Sequence, residues 1–175
     1  MQYIAVKSEE IIAMADYPPL HSPGSLKEYY WKFKAGLAVE PVPLIPVEIA
    51  IACFEKLKSG HLRTLRQFLQ HHRTAHYFML GGKHRSAAAV LAGKEIPALV
   101  VQNDLDIKTV LDLHDAGKLT GTIDVGKNLE TTVQELDKHF TQNKGMFWTM
   151  EEKTQAMIKN GDIPAYMLEK AEPNS

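Results

Sequence analysis

The chain has 175 residues, of which 45% are hydrophobic, and this size and composition fit one ordinary globular domain or one domain with an appendage. Its single cysteine, Cys53, excludes a scaffold held together by internal disulfides. Glu9 and Glu10 would interrupt the apolar core of a signal peptide, and no apolar run approaches the roughly 18 residues of a membrane span. We therefore expect a cytoplasmic protein without a membrane partner.

The formal net charge of −1 hides an uneven charge distribution along the chain. Residues 56–94 contain eight of the 20 Lys and Arg residues and none of the 21 Asp and Glu residues. All the arginines and five of the eight histidines lie in this window. A basic block in an otherwise acidic chain indicates an anionic partner such as phosphate, a nucleotide or a nucleic acid.

The first third of the chain alternates strand and helix signals. We expect a strand over residues 3–6, a short helix capped by Ser8 and ending near residue 15, a helix from a capping box at Ser25 and Glu28 to about residue 35, and a strand over residues 42–47. Because the last of these contains Pro43 and Pro46, it is predicted to be an edge strand or a bulged one.

The remaining elements are mostly helical. They are helices over residues 49–58 and 61–71, a strand over 75–80, a helix over 83–92, a strand over 96–101, and helices over 107–116, 129–139, 149–159 and 162–171. The predicted fold class is α+β, with a small mixed sheet and packed helices. We expect a compact domain over residues 1–103 and a helical extension over residues 104–175.

The segment with the candidate ligand-binding residues begins where the predicted strand over residues 75–80 ends. Gly81 and Gly82 let the backbone turn tightly, and the helix that follows opens with Lys83, His84 and Arg85. A helix N-terminus with lysine and arginine beside it attracts anions, and phosphate is the natural ligand. The predicted phosphate site comprises the consecutive residues Gly81, Gly82, Lys83, His84, Arg85 and Ser86. Its spacing matches neither a Walker A loop nor a dinucleotide-binding fingerprint.

From Tyr77 to Val101 the sequence resembles the ParB/sulfiredoxin superfamily, through the strand, the Gly-Gly-x-His-Arg-x-x-Ala-Ala motif and the strand that Ile96 and Pro97 open. The resemblance implies a ParB/sulfiredoxin-like fold in which residues 49–73 form a helical insertion. It also implies that Gly81, Gly82, His84 and Arg85 contact the phosphates of a nucleotide such as ATP, ADP or CTP, bound with Mg²⁺.

Two departures from the family narrow the activities that the resemblance implies. Sulfiredoxins carry a catalytic cysteine where this chain has Lys83, so the reduction of sulfinic acids is not expected. Partition proteins of the family carry a helix-turn-helix segment after the shared fold, and none is evident in this sequence.

The principal functional hypothesis is nucleotide phosphate binding, with nucleotide hydrolysis or phosphoryl transfer as the possible reaction. His84 and Glu40 are the candidate catalytic residues, while Glu48, Asp104 and Asp106 are further candidate carboxylates. A Mg²⁺ ion would be held by the phosphates and at most one carboxylate. No metal site made of protein ligands is expected.

Two alternatives remain open at this stage. One is a DNA-binding or nuclease module that uses the basic side chains Lys56, Lys58, Arg63, Arg66 and Arg73. The same five residues could instead form an ordinary solvated helix surface. The other alternative is a regulatory interaction protein that keeps the fold without catalytic activity.

Overall fold

The computed structural model describes residues 1–14, 22–143 and 146–168, and in these ranges the chain is α+β, as predicted. The strands are β1 (Gln2–Val6), β2 (Ile11–Ile12), β3 (Val42–Pro46), β4 (Tyr77–Met79) and β5 (Ile96–Val100). The helices are α1 (Pro23–Lys34), α2 (Val47–Lys56), α3 (Leu62–His71), α4 (Lys83–Leu91), α5 (Asp104–Asp115), α6 (Leu129–Gln142) and α7 (Met150–Lys159). Short 3-10 helices cover Ser8–Glu10 and Ala165–Leu168.

The strands form one mixed sheet in the order β1-β5-β3-β4-β2. β1 and β5 are antiparallel, β5 and β3 are parallel, β3 and β4 are antiparallel, and β4 and β2 are parallel. Because β4 and β5 lie on opposite sides of β3, helix α4 carries the chain across β3. The N-terminus of α4 therefore lies at the end of β4, beside the centre of the sheet.

Helices cover both faces of the sheet, and the strand residues alternate between them as a two-residue period requires. Leu44 and Met79 pack on the face covered by α1, α4 and α7. Ile45 and Phe78 pack on the face covered by α2, α3 and α6. A third apolar cluster joins α5 to β5. The central strands are thus buried on both sides, which explains their nearly continuous apolar sequence.

Strand β3 lies in the middle of the sheet, so its prediction as an edge strand is wrong. A proline lacks the backbone N–H but keeps its carbonyl, and the sheet uses this acceptor. The Leu80 N–H donates to the Pro43 carbonyl at 2.9 Å, and the Val101 N–H donates to the Leu44 carbonyl at 2.8 Å. Carbonyls of β3 therefore accept from the residues that follow β4 and β5, which ties β3 to the chain on both sides although its prolines donate nothing.

The short helix predicted from Ser8 is also wrong beyond Glu10. A 3-10 turn is followed by β2, whose Ile11 and Ile12 are both fully buried. Ile11 belongs to one apolar cluster and Ile12 to the other. Consecutive side chains that pack on opposite faces require an extended backbone, and this overrides the local helix signal. Residue 15 lies outside the described ranges.

Most other elements are confirmed within a few residues. Helix α1 begins at Pro23 rather than at Ser25, because the Ser22 side chain is the N-cap and accepts from the Ser25 N–H. The capping box between Thr149 and Glu152 is present at the start of α7. Of the short helix predicted over residues 162–171, a 3-10 turn at Ala165–Leu168 is seen, and residues 169–171 lie outside the described ranges.

The division into residues 1–103 and 104–175 stays a prediction, but helices of the second segment take part in the same core as the sheet. Phe140 of α6 lies 5.9 Å from Phe78 of β4, measured between ring centroids. Met157 of α7 packs in the cluster on the opposite face. No helix in the described ranges is long and apolar enough to cross a membrane.

A histidine–glutamate pair links α3 to α7 across the surface. The His72 ring stacks on Phe68, and its Nε2 lies 3.1 Å from a carboxylate oxygen of Glu152. Burial by itself would lower the pKa of His72, but hydrogen bonds to the Phe68 carbonyl and to Glu152 raise it overall. Burial would raise the pKa of Glu152, and hydrogen bonds from the Thr149 N–H and from His72 lower it overall.

These opposite pKa shifts predict that replacing His72 by glutamine destabilises the fold most between about pH 4.5 and 6.5, the ordinary pKa values of the two groups. The histidine contribution is lost as the pH rises through its raised pKa, and the glutamate contribution is lost as the pH falls through its lowered pKa. We expect a loss of about 0.5 kcal/mol near pH 5.5 and less at pH 8.5, measured by urea unfolding. Exposed His71, which bonds a carbonyl of its own helix, is the matched control as His71→Gln; an equal pH dependence in both variants would contradict the prediction.

Candidate functional site

Gly82 makes the turn from β4 into α4 possible. It is the N-cap of the helix and has a left-handed backbone with φ of 78°. A Cβ at this position would lie 2.9 Å from Cγ2 of Val42 and 3.0 Å from Nη2 of Arg85. The Gly82 carbonyl accepts hydrogen bonds from both the N–H and the hydroxyl of Ser86, each at 2.9 Å. Ser86 is fully buried, so it stabilises the first helical turn from inside.

Gly81 has a different role, because another part of the chain crosses over it. A segment that we call the crossing loop, residues 120–126, runs between α5 and α6 and forms a single antiparallel bridge from Ile123 to Gly81. A Cβ on Gly81 would lie 3.0 Å from the Thr122 carbonyl oxygen and from the Ile123 side chain. The lack of a side chain at Gly81 is thus used by a neighbouring segment of the chain itself.

A cleft of about 760 Å³ opens in front of the N-terminus of α4. Its walls come from α1, from Glu40 two residues before β3, from α4, from the crossing loop and from α6. The lining residues that matter below are Tyr29, Lys32, Glu40, Gly82, Lys83, His84, Arg85, Thr120, Asp124 and His139. Helix α4 points its N-terminus, with the positive end of its dipole, at this cleft.

Arg85 lies at the floor of the cleft and is only 2% exposed. Its Nη1 donates to the Thr120 carbonyl at 3.0 Å, and its Nη2 donates to the Pro41 carbonyl at 3.4 Å. The guanidinium also lies 3.7 Å from Glu40 and over the ring of Tyr29. Its Nε is buried and has no hydrogen-bond partner within the described ranges. Predicted as a phosphate ligand, Arg85 also holds two backbone segments together.

Glu40, the candidate catalytic carboxylate, is half-buried in a hydrogen-bonded cluster. Its carboxylate accepts from the Thr120 N–H at 2.8 Å, from the Thr120 hydroxyl, and from the Tyr29 hydroxyl at 3.1 Å. Burial by itself would raise the pKa of Glu40, but the bonds from Thr120, the charge of Arg85 and the bond from Tyr29 lower it overall. A carboxylate held ionised by four such interactions is a poor proton acceptor, and its geometry fits the positioning of Arg85 and Thr120.

His84 and Lys83 are half-buried and line the cleft at the start of α4. The Ser22 backbone N–H donates to Nε2 of His84 at 3.2 Å, so this nitrogen is an acceptor and the proton of the neutral ring is on Nδ1. His84 therefore connects the beginning of α4 to the beginning of α1. All six predicted phosphate-site residues lie at this junction, with Ser86 and Gly81 buried in its support.

The other candidate carboxylates lie away from the cleft. Asp106 accepts from the Gln102 N–H at 2.9 Å, and Asp104 accepts from the Leu129 N–H at 2.9 Å. Both therefore satisfy backbone donors near helix starts. Glu48 borders a separate cavity of about 460 Å³ beside β3 and β4.

The crossing loop and α6 bring a second acidic group to the cleft that the sequence analysis missed. Oδ2 of Asp124 lies 2.6 Å from Nε2 of His139, and both residues line the cleft. They are 15 positions apart, in a loop and near the end of a helix. No local pattern marks either residue, because their proximity depends on where the loop crosses Gly81.

The five basic residues of the nucleic-acid alternative lie on another surface. Lys56, Lys58, Arg63, Arg66 and Arg73 are all exposed, and none of them lines the cleft. Arg66 pairs with Glu55 at 2.6 Å, the one ion pair formed by this group in the described part of the chain. Nowhere in the described ranges do three His, Cys, Asp or Glu side chains converge as a metal site.

Comparisons with known proteins identify no relative: no family model, no curated protein and no solved structure matches this chain. The resemblance to the ParB/sulfiredoxin superfamily therefore stays a prediction from the motif around Gly81 and Arg85.

The geometry of the turn predicts that Gly82→Ala destabilises the protein by about 2–3 kcal/mol, because a left-handed backbone and a close contact with Val42 both oppose a Cβ. Gly93→Ala is the matched control, since Gly93 has a similar φ of 70° but an added Cβ there would meet no atom within 4 Å. We expect the control to lose about 1 kcal/mol in urea unfolding. Equal losses in both variants would contradict the role of the Val42 contact.

Proposed function

We propose that the cleft binds the phosphate groups of a nucleotide at the N-terminus of α4. The observation that carries this proposal is that two features of an anion site open on the same cleft. One is the first turn of α4, which begins at the left-handed Gly82. The other is the buried guanidinium of Arg85, whose Nε still lacks a partner in the described ranges.

The acidic side chains around the cleft do not cancel its attraction for an anion. Lining side chains include three carboxylates and three cations, so their formal charges balance. Each carboxylate, however, is engaged by a partner: Glu28 by Lys32 at 3.1 Å, Glu40 by Thr120 and Arg85, and Asp124 by His139. Two of the three cations, Lys32 and Arg85, are used in the same pairs. The formal charges of the lining therefore balance, and the helix N-terminus adds the positive potential in front of Gly82.

The size and position of the cleft also suit a nucleotide. About 760 Å³ falls within the range of about 300–1,000 Å³ that is typical of small-molecule sites. With no cluster of three protein ligands in the described ranges, a Mg²⁺ ion would be held mainly by the phosphates. Mg²⁺ would neutralise phosphate charge there. ATP, ADP and CTP are the candidate nucleotides. The proposal also includes a ParB/sulfiredoxin-like fold and a cytoplasmic location for the protein.

Lys83→Ala should weaken nucleotide binding about tenfold, because the lysine lies at the N-terminal turn of α4 and lines the cleft. Lys94→Ala removes the same charge just beyond the other end of this helix, where Lys94 is exposed, and should change the dissociation constant less than twofold. Isothermal titration with ATP, ADP and CTP in the presence of Mg²⁺, and with inorganic tripolyphosphate, measures both effects. No binding by the unaltered protein, or equal loss in both variants, would refute the proposal. Arg85 is a poorer choice for the test, because its removal also releases the Thr120 and Pro41 carbonyls.

A second candidate function is DNA binding by the basic surface of α2 and α3. The observation that favours it is that Arg63 and Arg66 both lie on the solvent side of α3, opposite buried Leu65. Exposed cations gathered on one surface attract a polyanion, and here only Arg66 is paired with an acid, Glu55 of α2, among the described residues.

Under this second candidate, reversing Arg63 and Arg66 to glutamate should abolish a mobility shift with double-stranded DNA at low salt. Binding by the unaltered protein should weaken steeply as salt increases, because phosphate contacts release counterions. Reversal of Lys108 and Lys118, exposed lysines in and just after α5, is the matched control and should leave the shift in place. Absence of any shift at low salt would eliminate the candidate.

A further inference from the structure

The carboxylate of Glu40 is held in place by the chain and still has room for one more hydrogen-bond donor. Its Oε1 accepts from the Tyr29 hydroxyl at 3.1 Å and from the Thr120 hydroxyl, and its Oε2 accepts from the Thr120 N–H at 2.8 Å. Nη1 of Arg85 lies 3.7 Å from Oε1, too far for a hydrogen bond. Because a carboxylate offers about four acceptor positions, Oε2 keeps one position without a donor in the described part of the chain.

This carboxylate is ionised and within reach of a ligand. Burial by itself would raise the pKa of Glu40, but the bonds from Thr120, the charge of Arg85 and the bond from Tyr29 lower it overall. The side chain is 21% exposed and lines the cleft. An ionised acceptor forms charge-assisted hydrogen bonds, which are stronger than those between neutral groups. Glu40 is therefore a preformed acceptor for a donor group on a bound ligand.

The position of Glu40 indicates which part of a nucleotide would meet it. Glu40 lies beside Arg85, the third residue of α4, and like charges keep phosphate oxygens away from its carboxylate. In a nucleotide, the sugar separates the phosphates from the base. With the phosphates at the N-terminus of α4, the donor groups closest to the phosphates are the sugar hydroxyls.

We propose that Glu40 accepts a hydrogen bond from a ribose hydroxyl of the bound nucleotide, so that the cleft selects ribonucleotides over deoxyribonucleotides. The inference rests on the proposed function, because the phosphates must bind at α4 before the sugar can reach Glu40. It gives Glu40 a role in specificity in place of proton transfer. An acidic side chain suits this role, since a hydroxyl can donate and an ionised carboxylate can only accept.

The rigid support of Glu40 makes its free acceptor position selective. Donors from Thr120 and Tyr29 hold both carboxylate oxygens, so Glu40 does not turn toward another donor without breaking one of these bonds. A deoxyribose would place a carbon where the hydroxyl belongs and would leave the acceptor unpaired. Such an unpaired polar group lowers affinity by more than the loss of one average hydrogen bond.

Isothermal titration with ATP, 2′-deoxy-ATP and 3′-deoxy-ATP, and with the same three forms of CTP, tests the assignment in the presence of Mg²⁺. For the unaltered protein, removal of one of the two hydroxyls should weaken binding about tenfold or more. In Glu40→Gln, the same analogue should differ from its parent nucleotide less than threefold, because an uncharged amide is a weaker acceptor. The ratio of the two dissociation constants is compared, because the loss of a negative charge beside Arg85 changes the affinity for every phosphate ligand.

Two controls accompany this variant. Glu48→Gln is the same change at a carboxylate that borders the separate cavity beside β3 and β4, and it should keep the tenfold ratio. Inorganic tripolyphosphate has no sugar, so its binding should persist in Glu40→Gln and shows that this variant is folded with its phosphate site intact. The ligand series on the unaltered protein can overturn the proposal without any variant.

The outcomes separate this inference from the proposed function. If ATP and CTP bind the unaltered protein no more tightly than their deoxy analogues, no sugar hydroxyl is recognised, the inference is wrong and the proposed function stands. If Glu40→Gln keeps the full ratio, another group recognises the hydroxyl, and the role given to Glu40 is wrong. If no nucleotide binds, both proposals fall.

Discussion

The buried guanidinium of Arg85 is the contact on which the site depends. It comes from α4, yet it bonds the carbonyl of Pro41 before β3 and the carbonyl of Thr120 in the crossing loop. Glu40 balances part of its charge and also receives the Thr120 N–H. One buried cation therefore joins three segments that are distant in sequence, and breaking such a contact would leave several polar groups unpaired.

The two adjacent glycines support this arrangement in different ways. Gly82 supplies the left-handed backbone that starts α4, and the missing side chain leaves room for Val42 and for the Arg85 guanidinium. Gly81 lets the crossing loop approach the end of β4 closely enough to form a bridge with Ile123. The loop in turn places Asp124 in the cleft. In the sequence, Gly81 and Gly82 look like one flexible turn. In the structure, Gly82 leaves room for side chains at the start of α4, and Gly81 leaves room for the crossing loop.

The features that the sequence predicts correctly depend on interactions between residues close together in the chain. The capping box at Thr149, the apolar stripe through Leu65 and the glycine turn were all readable, because each interaction spans only a few residues. The predicted edge position of β3 is wrong, because prolines show only which backbone N–H groups a strand lacks. They do not show whether its carbonyls are paired on both sides. The helix expected after Ser8 failed for a related reason, since Ile11 and Ile12 are buried on opposite faces of a sheet that the local sequence does not reveal.

By itself, the sequence determined an α+β chain and a strand–glycine–helix junction, because glycine and helix-start preferences are properties of neighbouring residues. Tertiary structure alone decided which carbonyls hold Arg85, that Glu40 is occupied by Thr120 and Tyr29, and that Asp124 meets His139. It also separated the basic window of residues 56–94 into a junction inside the cleft and an exposed surface on α2 and α3. These outcomes depend on how distant segments pack over the sheet, and no spacing along the chain encodes that packing directly.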